Sequence, residues 1–187
     1  MKFNRSRCVA CLVGILVGVT AVPLANADVG DAARVRSSNP YLAAIIREAT
    51  ARSATFRQLV TDIERSDGIV YVEPGECRHG VRSCLSLSVT SAAGFRLLRV
   101  LVNPRASAWE LMATIGHELR HVMEVLANPA LTTTQAVYLF YERIAPTVRA
   151  AFETDAAIRA GFAVGAEVSR SARRQGQEGV MAPAQTP

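Results

Sequence analysis

Apolar residues recur at spacings of three and four from Leu42 through Ile45, Ile46, Ala49, Phe56, Leu59, Val60 and Ile63, which predicts one amphipathic helix from Asn39-Pro40 to about Arg65. Asn39 before Pro40 is a helix start, with proline in the first turn, where its missing N–H has no intrahelical partner to lose. Asp67-Gly68 breaks the pattern. Three stretches rich in β-formers follow, Ile69 to Glu73, Cys84 to Thr90 and Phe95 to Val102, and predict a small antiparallel or mixed sheet. Ala92-Ala93-Gly94 turns the second strand into the third. Asn103-Pro104 ends the third, and Ser107 followed by Glu110 is a capping box that opens a helix reaching about Ala127, before Asn128-Pro129. A further helix is expected from Thr133 to Ile144, and Pro146 is read as the start of another that runs to about Ser171. This order of elements predicts an α+β fold, mostly helical and without internal repeats.

The two ends follow other rules. Lys2, Arg5 and Arg7 precede an apolar run from Cys8 to Val22, and Ala25-Asn26-Ala27 supplies small residues at cleavage spacing, so residues 1–27 are expected to be a secretory signal peptide cut after Ala27. The run falls short of the roughly 18 residues of a membrane-spanning helix. Residues 28–38 are small and polar and predict a flexible segment, and residues 172–187, rich in Gln, Gly, Ala and Pro, predict a disordered tail. Between them, residues 39–171 suffice for a single domain and are too few for two. The expected location is the periplasm or the outside of the cell.

Composition narrows the partners. The formal charge of +5 belongs largely to the leader: after Ala27 there are 18 arginines against 16 acids and no lysine, a net +2. The arginines are dispersed and aromatics are 6% of the chain, so neither the clustered basic face nor the stacking surface of a nucleic-acid binder is present. No stable membrane span is expected after cleavage. Cys77 and Cys84, the two cysteines outside the leader, predict a disulfide in an exported chain. The competing reading, in which Cys77, His79 and Cys84 bind metal, matches no common zinc spacing and lacks a fourth ligand. His79 is given no role.

The chemistry lies in the capped helix, as His117-Glu118-Leu119-Arg120-His121, an HExxH sequence. Histidines at i and i+4 stand one turn apart on one face and can converge on one ion, while Glu118, about 100° around the helix, can reach a water without joining the ligands. Arg120 points away from that face. The third ligand is sought after His121 among Glu124, Glu142, Glu153, Asp155 and Glu167. Glu153 stands out, because Ala150, Ala156, Ala157 and Ala160 surround it on its expected helix and would let that backbone approach the metal helix. Glu124, one turn past His121, is placed to touch a ligand rather than to be one. Trp109 is expected to anchor the helix against the sheet.

These residues, HExxH followed by Glu153 in a Glu-x-x-Ala context, resemble the gluzincin type of zincin metallopeptidase, particularly its small minimal members, over about Ile69 to Glu167. The resemblance implies a zincin-like fold, with a small sheet packed on the active-site helix, and an edge strand that holds an extended peptide, for which Phe95 to Val102 is the nearest candidate. It implies one Zn2+ per chain on His117, His121 and Glu153, with Glu118 as general base acting on a metal-activated water to hydrolyse peptide bonds in a peptide or protein substrate. Tyr141, or alternatively Tyr138, would stabilise the oxyanion. The family commonly has an Asp four residues after the ligand glutamate to support a zinc-bound histidine; this chain has Ala157, and Asp155 or Glu124 could substitute. The alternative function is a catalytically silent zincin-like domain that binds zinc or a partner.

Overall fold

The computed structural model describes residues 33–77, 80–145, 147–148 and 151–181. The expected signal peptide, residues 28–32 of the expected flexible segment, His79, Ala150 and the last six residues lie outside them. Within the stretch expected to be flexible, Val35–Arg36 forms a strand, β1, because Val35 is buried in the core and pairs with Val70.

The helix expected from Asn39 to Arg65 is two helices, α1 (Pro40–Arg52) and α2 (Ala54–Glu64). Asn39 caps α1, its side-chain oxygen accepting from the N–H groups of Tyr41 and Leu42. At Ser53 the backbone turns extended, and its hydroxyl oxygen accepts from the Phe56 N–H, so one residue ends the first helix and caps the second. The apolar period survives the break, since Leu42, Ile45, Ile46, Ala49, Phe56, Leu59 and Ile63 are all buried.

The sheet is mixed. Strands β2 (Gly68–Pro74), β3 (Ser83–Leu85), β4 (Thr90–Ala92) and β5 (Phe95–Val102) join β1 in the order β1-β2-β5-β3, with β4 beside β3 on the same side of β5. β2 and β5 are parallel, Val70 opposite Leu98 and Val72 opposite Val100, and these alternate residues fill the core. β3 and β4 run antiparallel to β5. The single strand expected from Cys84 to Thr90 is therefore split: residues 86–89 stand opposite only Leu98 and Arg99, and the extra residues bulge out while Val89 turns into the core. Ala93 and Gly94, both at positive φ, close the β4–β5 hairpin, a geometry that glycine accepts without strain. β5 is an interior strand, so Phe95 to Val102 cannot offer the edge expected for a peptide; β3 has the free edge. The expected Cys77–Cys84 disulfide closes the loop leading into β3.

Helix α3 (Ala108–Leu126) is the centre of the molecule. The Glu110 carboxylate accepts from the N–H and hydroxyl of Ser107, as the capping box predicts. Leu111, Met112, Ile115, Leu119, Val122 and Val125 are buried, each worth about 1.5–3 kcal/mol relative to exposure. α3 packs against β3, β5 and α2, and most extensively against α5 (Asp155–Met181). A Cβ at Gly116 would stand 2.7 Å from Val164 Cγ2, so this close crossing depends on glycine. The C-terminal end of α3 is tied to the sheet by Arg96, 3% exposed, which binds both carboxylate oxygens of Asp67 and donates to the carbonyls of Val125, Leu126 and Asn128.

After α4 (Thr134–Ile144) the helix expected from Pro146 to Ser171 forms only from Asp155 onward. A short hairpin, β6 (Thr147–Val148) and β7 (Ala151–Phe152), precedes α5, which starts where Thr154 caps it by accepting from the Ala157 N–H. α5 runs past Ser171 to Met181, into the stretch expected to be a disordered tail, through Ala, Arg, Gln and Glu residues that favour helix. Trp109 does not anchor α3 to the sheet; it is 54% exposed, on the α5 side near Gly165. No described helix is long and apolar enough to cross a membrane.

Candidate metal centre

His117 and His121 project from one face of α3, with ring centroids 4.9 Å apart. Glu153 reaches them from a different place than its sequence context suggested. It lies in the junction between β7 and α5, one residue before the Thr154 cap, and not on a helix. One ligand atom from each of the three side chains falls within 4.8 Å of the other two. His117 Nε2 and Glu153 Oε2 are 3.1 Å apart, near the roughly 3.3 Å that separates two ligands of a tetrahedral zinc at bond lengths of about 2.05 Å. Glu153 Oε2 is buried with the His117 ring nitrogen as its neighbour but no well-aligned hydrogen bond, an acceptor that a cation would satisfy. Two imidazoles and a carboxylate are a donor set that fits zinc.

Charge at the cluster favours a cation. Burial works against the charged form of His117, but Glu153, Glu118 and Glu124 outweigh it and raise the imidazole above its ordinary value. Glu153 is lowered, chiefly by His117, against the effect of burial.

Of the three residues, His121 is held from behind. His121 Nδ1 lies 2.9 Å from Glu124 Oε2, which leaves Nε2 as the ring nitrogen for a metal. Thr154 donates to the other oxygen of Glu124 at 2.7 Å, and Tyr141 donates to the His121 carbonyl at 3.0 Å. Burial raises the Glu124 carboxyl, but hydrogen bonds from His121 and Thr154, with the charges of His121 and Arg120, more than reverse this and keep it ionised. Glu124 thus supports His121 from the side away from the cluster. The Tyr141 ring packs edge-on to His121 and stacks on Phe152. Its hydroxyl is committed to His121 and Glu124, a positioning contact rather than the one expected toward an oxyanion, and burial followed by Glu124 and Glu118 pushes it far up. Tyr138, 41% exposed, is the phenol on the open wall.

Glu118 is buried, 4% exposed, and its Oε1 accepts from the Ser83 hydroxyl at 2.8 Å. Burial raises its carboxyl above the ordinary range, while the two histidines and Ser83 pull the other way. Ser83 and Thr154 were not foreseen. Nothing in the sequence marks an edge-strand serine as the partner of a glutamate 35 residues away, whereas Thr154 before Asp155 was readable as a helix cap.

Two cavities meet at His117, Glu118 and Glu153. One, of about 670 Å³, extends between α3 and α5; the other, of about 640 Å³, follows β3 and the bulge at Ser86, Leu87 and Ser88. No family model, curated protein or solved structure matches the chain.

Proposed function

We propose that the chain is an exported zinc-dependent peptidase of the gluzincin type, with zinc held by His117, His121 and Glu153. The observation that carries this reading is the convergence of those three ligands beside a buried glutamate that binds none of them. Zinc, when bound, supplies Lewis acidity that polarises a carbonyl and acidifies water. Glu118 takes a proton from the attacking water and returns it to the leaving amine, a task suited by its raised carboxyl. Ser83 fixes the orientation of that carboxylate, and its strand offers a free edge to an extended peptide. Glu124, Thr154 and Tyr141 hold His121 in place, and Tyr138 is the phenol available on the cleft wall.

The test is metal content by mass spectrometry beside hydrolysis of a peptide library. One zinc per chain, lost in His117→Ala and Glu153→Ala, is expected, with Glu118→Gln keeping zinc and losing hydrolysis. An active Glu118→Gln chain, or a folded chain that takes up no zinc, would sink the reading. The commitment of the Tyr141 hydroxyl favours a second reading, a zinc-binding domain without turnover, which predicts stoichiometric zinc and no cleavage of any peptide.

A further inference from the structure

The cavity between α3 and α5 is more than the metal site needs. From His117 it runs toward the start of α3, passing Ala113 and reaching Trp109, while α5 follows in the opposite sense through Gly161, Gly165 and Ser169. Close approaches fix this pairing: a Cβ at Gly161 would meet His117 and Ala113, and one at Gly165 would meet Ala113 and Trp109. The floor is therefore made of small residues. The walls are large and apolar, Val81 and Trp109 on one side of the chain order and Ile158 and Phe162 on the other. Their exposures, 37%, 54%, 39% and 76%, are those of side chains that no described residue covers. Away from the metal end the charged lining residue is Arg82, and it is paired with Glu110. A contiguous exposed apolar surface of this kind marks a place where a ligand sits.

Its length sets the ligand. Trp109 and His117 are eight residues apart on α3, so the trough extends about 12 Å from the metal end. That is the span of about three to four residues of extended chain. The other cavity, beyond the triad, presents the hydroxyls of Ser86, Ser88, Thr134 and Tyr138 instead.

We infer that the trough binds a run of successive apolar residues in the substrate, on one side of the bond that is cut, so that the substrates are peptides bearing a short hydrophobic segment. This rests on the reading of the triad as a hydrolytic centre. It adds a segment several residues long where the triad alone demands only a peptide bond.

Trp109 is the single tryptophan of the chain and stands in the wall of the trough, so its emission reports occupancy without any need for hydrolysis. The purified chain is titrated with a short Gly/Ser/Gln peptide carrying Leu-Phe-Leu and with its Ser-Ser-Ser counterpart, and cleavage of both is followed separately with zinc present. The Leu-Phe-Leu peptide should shift the emission to shorter wavelength saturably and the counterpart should not. Phe162→Ser, at a site too exposed to matter for folding, should weaken the binding about tenfold with an unchanged far-ultraviolet spectrum. Absence of a shift, or equal shifts with both peptides, overturns the inference. Binding without cleavage keeps the trough and removes the hydrolytic reading; equal cleavage of both peptides with no change at Trp109 keeps hydrolysis and removes the trough.

Discussion

His121 offers Nε2 to the cluster because its other ring nitrogen is taken by Glu124, and Glu124 in turn accepts from Tyr141 and Thr154. Every neighbour that donates to this carboxylate expects an acceptor. In Glu124→Gln the His121 ring N–H loses its ionised acceptor and keeps at best a neutral amide oxygen, a weaker hold on its orientation. Zinc affinity is expected to fall about 10–100-fold while the fold persists, measured by competition with a chromophoric chelator. Unchanged affinity would mean that His121 is held by α3 alone. This residue marks how far the site could be read in advance. His117, Glu118 and His121 are legible because a helix fixes the relation between i and i+4. Glu153 was legible as a residue and not as a place, since its expected helical setting gave way to a junction before α5. The Ser83 contact belongs to a strand pairing that no local pattern encodes.

At the scale of elements, two side chains hold helix ends that the backbone leaves open. Arg96 supplies donors to the last carbonyls of α3 and is nearly completely buried. Arg96→Met should destabilise the chain by about 3 kcal/mol in urea denaturation, because buried carbonyls and Asp67 lose their partner together. Glu167 does the corresponding work for α2, accepting from the Ser53 hydroxyl and from the N–H and hydroxyl of Thr55. Burial raises the Glu167 carboxyl, but these hydrogen bonds, helped by Arg170, outweigh it and leave the native value below the ordinary 4.5. A lowered native value means that the contribution is whole above 4.5 and is lost as the pH falls through the native value. Glu167→Gln should therefore flatten the acid limb of a stability-against-pH curve and leave its slope near neutrality unchanged; an identical acid limb would assign acid sensitivity elsewhere. The same contact explains why the break at Ser53 escaped the sequence. Apolar spacing runs unbroken from Leu42 to Ile63, and the reward for bending comes from Glu167, 114 residues from Ser53. The capping box at Ser107 and the Ala93-Gly94 turn were readable because each is decided by neighbours in the chain. The bulge at 86–89 was not, because it is defined only against β5.

For the molecule as a whole, the decisive point is where the candidate ligands come from. Two stand on α3 and the third in the junction before α5, so an ion shared by them links the central helix to the segment that enters its main packing partner. That link is not what makes the two helices meet. Ala157, Ala160, Val164 and Val168 of α5 are buried, and Gly116 lets Val164 approach. The chain should therefore fold without metal, unlike small zinc domains whose binding free energy is their folding free energy. Zinc that binds only the native state then adds RT ln(1 + [Zn]/Kd), about 4 kcal/mol when free zinc exceeds Kd about a thousandfold. For a chain of this size that raises the midpoint of thermal unfolding by roughly 10 °C. The measurement is calorimetry of the chelator-treated chain with and without added zinc, beside His117→Ala and Glu153→Ala. The increment should vanish in both variants, while their metal-free midpoints stay within a few degrees of the parent chain. A chelator-treated chain that is unfolded would make the metal structural and the packing of α5 insufficient. A zinc increment that survives in both variants would place the ion elsewhere and remove the three-ligand centre.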